Sequence, residues 1–393
     1  MVLYDIFRYA HGLFFVTLQT ALMFGFFLEW RRDKKALATG GLSSAGGEAR
    51  VSVIIPIHNE SLRMAGLLTS LLEQDFDEGA EIIFVDDRSQ DESPAMLRDF
   101  AKKAEERGMK ECRIITLKEN PGPNRKQYAL SQGIAQAKGD LLLLTDGDCE
   151  VPPGWVRAMA ARMRDPNVGV AIGPVFKKKQ GKGFFFLYQC FDHVIRYNFL
   201  AGSIGLGAAG GGFGNNLIIS RAALQSVGGY DAIPPSPTED AELISQIRKG
   251  GKYTVRAISL PDAAVETEAE KTWASFINQT LRWNNGGLFS PERITRFNYN
   301  LLMLVITTGS LALFLLPFFP SLWPLPLGVF IAITQNTVAA FALFRTKLPG
   351  GGFSTKFCYV LLVFFTPFYF TLMTLMGYFR VKVKWKGNQI PKT

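Results

Sequence analysis

The chain has 393 residues, 48% of them hydrophobic, and its 43 Lys and Arg against 34 Asp and Glu give a net charge of +9. That length accommodates one large soluble domain plus membrane segments. The basic excess suits anionic lipid headgroups, because much of it flanks apolar runs at Arg31-Arg32-Asp33-Lys34-Lys35 and from Arg380 to Lys386. No zinc-finger spacing or aromatic RNA-binding signature accompanies the charge, which sets nucleic acid aside as a partner. His11, His58 and His193 are too scattered for a sequence-evident zinc site, and Cys112, Cys149, Cys190 and Cys358 form no C-x-x-C pair and read as reduced thiols.

In chain order, residues 11–28 are apolar and uncharged, close to the lower limit of about 17–25 residues for a span. No basic region precedes them, no A-x-A site follows, and Glu29-Trp30-Arg31-Arg32 closes the run, so they read as an uncleaved anchor within residues 1–30. Residues 31–49 read as a basic linker that turns rich in Gly, Ser and Ala from residue 36. Strands are predicted at Val51–Ile57, Glu81–Val85, Cys112–Leu117 and Leu141–Thr145, all short β-branched or aliphatic runs. Helices are predicted at 61–74, 94–107 and 127–137. This alternation predicts a doubly wound α/β sheet, which binds ligands outside the carboxyl ends of its strands. His58-Asn59-Glu60, Asp86-Asp87 and Asp146-Gly147-Asp148 all fall there.

Residues 183–200 are aromatic-rich but carry Asp192, His193 and Arg196, so they read as an interfacial helix and not a span. Gly210 to Asn216 lets the backbone approach a ligand closely, yet lacks the G-x-G-x-x-G and Walker patterns; an ordinary turn before the strand Leu217–Ser220 is the alternative. Thr238-Glu239-Asp240 opens a helix with apolar Ala241, Leu243, Ile244 and Ile247. Residues 301–320, about 325–344 and about 357–379 are three further membrane candidates, the first two separated by Pro317, Pro320, Pro324 and Pro326. Asn300 and Gln335-Asn336 are expected to hydrogen-bond between helices. The basic block at 31–35 places the long middle region in the cytoplasm. Three more crossings would then put the tail outside, whereas Arg380, Lys382, Lys384 and Lys386 place it inside; one apolar segment is re-entrant or interfacial, or the charge bias is broken.

Each polar station has a chemistry. Two acids separated by one residue after a strand can hold Mg²⁺ or Mn²⁺ together with phosphate oxygens. Asp86-Asp87 can hydrogen-bond a ribose or base, with helix capping by Asp87 or Ser89 as the alternative. Lys126 follows the rigid Pro121-Gly122-Pro123 turn and opens a helix, a setting that suits phosphate, or else is a solvated lysine. Asp240 can act as general base for a hydroxyl, against N-capping by Thr238 with dipole-favoured Glu239 and Asp240. Arg282 and Trp283, just ahead of the apolar stretch, can meet a diphosphate and stack on a sugar ring, or serve as interfacial anchors.

In combination these motifs resemble a membrane-bound family-2 glycosyltransferase with a GT-A catalytic domain. Val51–Glu60, Asp86-Asp87, Asp146-Gly147-Asp148, Thr238-Glu239-Asp240 and Gln279-Thr280-Leu281-Arg282-Trp283 carry the resemblance in the family's order, over about residues 50–285. It implies a Rossmann-like, doubly wound mixed sheet at 50–296, C-terminal transmembrane helices at 297–380 and a basic tail at 381–393. It also implies single-displacement inversion, with a UDP-sugar as donor. Carried over by residue, Pro56, His58 and Glu60 would line the uracil site with Asp86 and Asp87 at the nucleoside. Lys126 would approach the diphosphate, and Asp146 and Asp148 would hold nucleotide and metal. Asp240 would be the base beside Glu239, and Gln279, Arg282 and Trp283 the acceptor-side wall. Within the family the chain looks most like the ceramide-glucosyltransferase-like branch that glycosylates lipids, through its length, single leading anchor and basic tail containing Lys384-Trp385-Lys386-Gly387. The expected reaction is transfer to a membrane lipid or lipid-linked acceptor at the cytoplasmic face of the inner or plasma membrane. A processive synthase of cellulose, chitin or hyaluronan type, acting on a growing glycan, is the alternative. Thr280, where those synthases carry Arg or Gln, departs from their pattern. A transporter or receptor that binds nucleotide-sugar without turnover is a third class.

Overall fold

The computed structural model describes residues 2–38, 50–74, 80–109, 111–208, 211–236, 238–290, 293–344, 348–381, 384–385 and 388–389. The expected linker beyond Ala38, Gly210 of the glycine-rich segment and most of the basic tail lie outside these residues. In chain order the elements are α1 (Val2–Ala38), β1 (Val51–Ile57), α2 (Ala65–Leu72), β2 (Ala80–Asp86), α3 (Ser93–Glu106), β3 (Cys112–Thr116), α4 (Arg125–Gln136), β4 (Leu141–Leu144), β5 (Cys149–Glu150), α5 (Trp155–Arg162), β6 (Val168–Ile172), β7 (Val175–Lys177) and α6 (Phe184–Gly205). There follow β8 (Leu217–Ser220), α7 (Arg221–Ser226), α8 (Glu239–Lys249), β9 (Thr254–Ala257), β10 (Val265–Thr267), α9 (Trp273–Leu288), α10 (Arg293–Leu315), α11 (Pro324–Phe344), α12 (Phe353–Tyr378) and a short pair, β11 (Lys384–Trp385) and β12 (Asn388–Gln389). They fall into two units: Phe27–Lys178 with Gly207–Glu268, and Met1–Phe26 with Lys179–Leu206 and Ala269–Thr393.

The first unit is built on a seven-stranded sheet of order β3-β2-β1-β4-β8-β6-β9. β1 pairs in parallel with β2 and β4, so the loops after Ile57, Asp86 and Leu144 leave from one edge. β8 runs antiparallel to β4, with Leu217 opposite Leu144, and this reversal delivers the segment before β8 to that same edge. The sheet is therefore mixed. Because side chains alternate across a strand, Val53, Ile55, Phe84 and Leu143 share one face, where Leu67 and Leu71 of α2, Phe100 of α3 and Trp155 of α5 bury them. Phe84 and Phe100 meet edge to face at 5.2 Å. Each such fully buried side chain contributes about 1.5–3 kcal/mol. On the opposite face α4 comes in closely through Gly133, where a Cβ would lie 2.6 Å from Ile54.

α1 continues past the basic block, with residues 31–38 helical where the sequence reads as linker. The reason lies at the sheet edge. Glu29 and Asp33, both buried, accept the backbone N–H groups of Ala257 (3.2 Å) and Ser259 (2.6 Å) on and just after the edge strand β9. Four residues of helix advance about 6 Å and two residues of strand about 6.6 Å, so the two spacings match. Arg162 of α5 pairs with both acids, at 3.1 and 3.6 Å, and Arg32 pairs with Glu29 as well.

The second unit holds the first part of α1, α6 and α9–α12. Among the described residues four helices are long and apolar enough to cross a membrane: Val2–Ala36, Arg293–Leu315, Pro320–Ala339 and Phe353–Tyr378. Glycines allow close crossings: a Cβ on Gly25 would meet the Gly202 carbonyl, and one on Gly12 the Pro324 carbonyl. The expected interhelical bonds form. Asn300 donates to the Leu288 carbonyl at 2.9 Å, Asn198 to Asn336 at 3.0 Å and Gln335 to Thr20 at 3.1 Å. α6, which the sequence reads as an interfacial helix and not a span, is buried within the protein along most of its length and is not among the candidate spans. Its charges make this possible by pairing with each other, Asp192 with Arg196 at 2.7 Å.

Candidate active site

The loops at the shared edge of the sheet carry the site. After β1, His58 donates from Nδ1 to the Asp87 carbonyl at 2.7 Å, and Asn59, at φ 54°, turns the chain so that the Glu60 N–H reaches Ser93 at 2.9 Å. Pro56 lies opposite Val85 one strand away. Asp86 accepts the Ser89 N–H at 3.0 Å, whereas Asp87 accepts from Arg88 and from Asn120, each at 2.8 Å, so Asp87 is not a helix cap. Asp91 staples the two loops by accepting the Ser61 and Ser93 N–H groups at 2.9 and 3.0 Å. Although burial works the other way, bonds from Ser93 and Ser61 hold its carboxyl well below the usual range.

After β4 the chain carries Asp146 and Asp148 on either side of Gly147, where a Cβ would strike Ile57 at 2.8 Å. The glycine thus lets this loop lie against the loop after β1. Arg63 bridges the two loops, at 2.8 Å from Glu60 and 3.6 Å from Asp148. Lys126, in the first turn of α4, is 2.6 Å from Asp146 and 3.8 Å from Glu239. Burial disfavours its charge, but Asp146 and Glu239 outweigh that and keep the ammonium above its ordinary range. Asn124, which caps α4, also donates to Glu239 at 3.3 Å and to the Ser236 carbonyl at 2.7 Å.

Glu239 and Asp240 open α8 but face different partners. Burial pushes the Glu239 carboxyl up, Lys126 pulls it down, and the neighbouring Asp240 adds to the rise. Asp240 accepts the Gly214 N–H at 2.7 Å on one oxygen and the Ala241 N–H at 2.8 Å on the other. Thr238 makes no side-chain capping bond. The glycine-rich segment is held from behind by buried Asn216, which donates to the Pro174 and Ala263 carbonyls, each at 2.8 Å, and accepts from the Trp155 indole at 2.9 Å.

Gln279, Arg282 and Trp283 lie on α9 in the helical unit. Trp283 meets His193 edge-on at 5.5 Å and has the Arg196 guanidinium 5.7 Å from its ring centroid. Sequence reasoning passed over Arg63 and Asp91 as site residues and took Asn216 only as the end of the glycine-rich segment. Arg63 had a faint signal, lying three residues after Glu60 in the loop before α2, but Asn216 is recognisable only by partners distant in the chain and Asp91 by its bond from Ser61, thirty residues earlier.

Among the described residues, no group of three or more His, Cys, Asp or Glu can hold a metal unaided. Asp146 and Asp148 fit a hard divalent ion that completes its shell with diphosphate oxygens and water. Asp148 is raised by burial and then by the charge of Asp146, a repulsion that a cation between them would relieve.

Residues 52–228 match the family model for glycosyl transferase family 2, and residues 141–376 match that for glycosyl transferase family group 2. The chain belongs to the family-2 glycosyltransferases. It is 28% identical over 242 residues to an N-acetylglucosaminyltransferase of Rhizobium meliloti, covering 59% of this chain and 54% of that one. It is 23% identical over 348 residues to a beta-monoglucosyldiacylglycerol synthase of Trichormus variabilis, covering 83% and 69%. The chain thus spans about half the length of the first of these curated relatives. Among solved structures it resembles the mannosyltransferase PcManGT from Pyrobaculum calidifontis in complex with GDP-Man and Mn²⁺, with a TM-score of 0.51 and 17% identity over 94% of this chain and 99% of that one. That likeness speaks for the GT-A fold.

Proposed function

We propose that this protein is an inverting hexosyltransferase that moves a sugar from a UDP-sugar to a hydroxyl of a membrane lipid at the cytoplasmic face, with Mg²⁺ or Mn²⁺. The observation that carries the reading is the gathering of Lys126, Asp146, Asp148, Glu239 and Asp240 at one sheet edge. Pro56, His58, Glu60, Asp86 and Asp87 receive the uridine between the loops after β1 and β2. Lys126 holds a diphosphate oxygen, and Glu239 keeps the ammonium in place. Asp146 and Asp148 would hold the divalent ion, whose bound charge offsets that of the departing diphosphate. Asp240, fixed by two backbone N–H groups, takes the proton from the acceptor hydroxyl. The new C1–O bond forms on the face opposite the C1–O bond that breaks to UDP, which inverts the anomeric carbon. For Gln279, Arg282 and Trp283, on α9, the proposed role is contact with the lipid acceptor.

A lipid acceptor is supported by the four candidate spans and by the diacylglycerol-glucosylating relative, which matches over most of this chain. The Arg31–Lys35 block supports the cytoplasmic face. The test is incubation of membranes containing the protein with labelled UDP-sugars and Mn²⁺, followed by lipid extraction. A single-sugar lipid is expected, and high polymer in its place would establish the processive alternative. Asp240→Asn is expected to lower transfer about 10²–10⁴-fold; full activity in that variant removes Asp240 as the base.

A further inference from the structure

Two opposite charges sit on α6 inside the helical unit. Asp192 is fully buried and pairs with Arg196 one turn later at 2.7 Å. Even a paired charge loses hydration among apolar helices, so such pairs mark function more often than stability. The Arg196 guanidinium lies 5.7 Å from the Trp283 ring centroid and 4.9 Å from that of Phe370. His193, between the two charges in sequence, meets the same indole edge-on. Among the described residues, one buried atom each of Asp192 and Arg196, Oδ1 and Nη2, has no hydrogen-bond partner. Leaving such atoms unmade is unfavourable, and here an acceptor and a donor are left together beside an aromatic ring.

The pair is electrically neutral. An acceptor and a donor without net charge match a hydroxyl, which gives its proton to the carboxylate and takes a bond from the guanidinium. A phosphate, which only accepts at full charge, would gain from Arg196 but be repelled by Asp192. We propose that Asp192, Arg196 and Trp283 form the acceptor-recognition element, which takes the hydroxyl-bearing headgroup of a neutral lipid in preference to a lipid phosphate. This deepens the acceptor side of the proposed reaction and rests on that reading for the identity of the bound lipid as acceptor.

The experiment uses the full chain in detergent micelles, labelled with 5-fluorotryptophan, with the Trp283 ¹⁹F resonance assigned by Trp283→Phe. Titration with 1,2-dioleoylglycerol is expected to move the Trp283 resonance saturably, and dioleoyl phosphatidate is not. Asp192→Asn is expected to weaken the diacylglycerol response at least tenfold and to create a phosphatidate response. Because that variant strands a buried cation, the neutral pair Asp192→Asn/Arg196→Gln serves as a second probe and is expected to lose the diacylglycerol response without gaining the other. An equal or stronger phosphatidate response in the unaltered protein, no response to either lipid, or unchanged titrations in both variants would overturn the proposal. A diacylglycerol response without transfer from any UDP-sugar sinks the donor reading and leaves this site standing. Transfer to diacylglycerol with a silent Trp283 does the reverse.

Discussion

Gly214→Ala tests the placement of Asp240 without touching its chemistry. A Cβ at position 214 would lie 3.1 Å from both Cβ and Oδ2 of Asp240 and 3.3 Å from its Cγ. Unstrained carbon contacts lie at about 3.5–4.0 Å, so the carboxylate must retreat by roughly half an ångström and the 2.7 Å bond from the Gly214 N–H must distort. A misplacement of about 1 Å can cost about 10²-fold in rate, so half of that predicts roughly a tenfold fall in kcat, or about 1.4 kcal/mol. Gly214 is outside the positive-φ region, so alanine also narrows the unfolded ensemble by about 0.4–1 kcal/mol and offsets the crowding. The expected result is therefore a tenfold lower kcat with donor KM and unfolding midpoint nearly unchanged, measured by initial rates of labelled sugar transfer and by thermal unfolding in detergent. Added to Asp240→Asn, the change should cost nothing more. Undiminished kcat, or a loss that persists in full on the Asp240→Asn background, would refute the assignment of Asp240 as a base held by Gly214.

Other perturbations address the frame around the site. Asn216→Ala takes the partner from the Trp155 indole N–H and the Ala263 carbonyl, while the Pro174 carbonyl keeps the Val265 N–H at 3.0 Å; at about 1–3 kcal/mol for each of the two groups it should lower stability by at least about 2 kcal/mol in denaturant unfolding. Arg162→Met takes the cation from buried Asp33 and leaves buried Glu29 with Arg32 alone, and should cost about 3–5 kcal/mol by the same measurement, with much of the loss recovered when Glu29→Gln and Asp33→Asn are added. For Asp91 the folded carboxyl lies below its unfolded value, so its contribution is present above about pH 4 and is lost as pH falls through the folded value. Asp91→Asn should accordingly lower the unfolding midpoint at pH 7, and the difference from the unaltered protein should shrink in acid.

The strands that position the site were legible because buried parallel strands read as unbroken aliphatic runs, and VSVIIPI, EIIFV and LLLLT are such runs. The acidic stations were legible for the same reason, since they stand where those runs stop. The reversal of β8 was not, because LIIS carries no mark of direction; only its pairing with β4 and β6 sets it antiparallel to both. Nor was the burial of α6 readable, since a charge facing water and a charge facing its partner four residues on look alike in sequence. The helical extension of α1 to Ala38 has the same origin, in contacts with residues more than two hundred positions away.

The carboxylates of α1 at the rim of the sheet have a practical consequence. An uncovered outer strand offers its amides as a template to any other chain. Here Glu29 and Asp33 occupy that template at Ala257 and Ser259. Trimming the leading helix to obtain a soluble fragment would remove more than an anchor: it would bare a strand that recruits foreign strands and invites aggregation. A fragment beginning at residue 27 keeps both acids and leaves that rim closed.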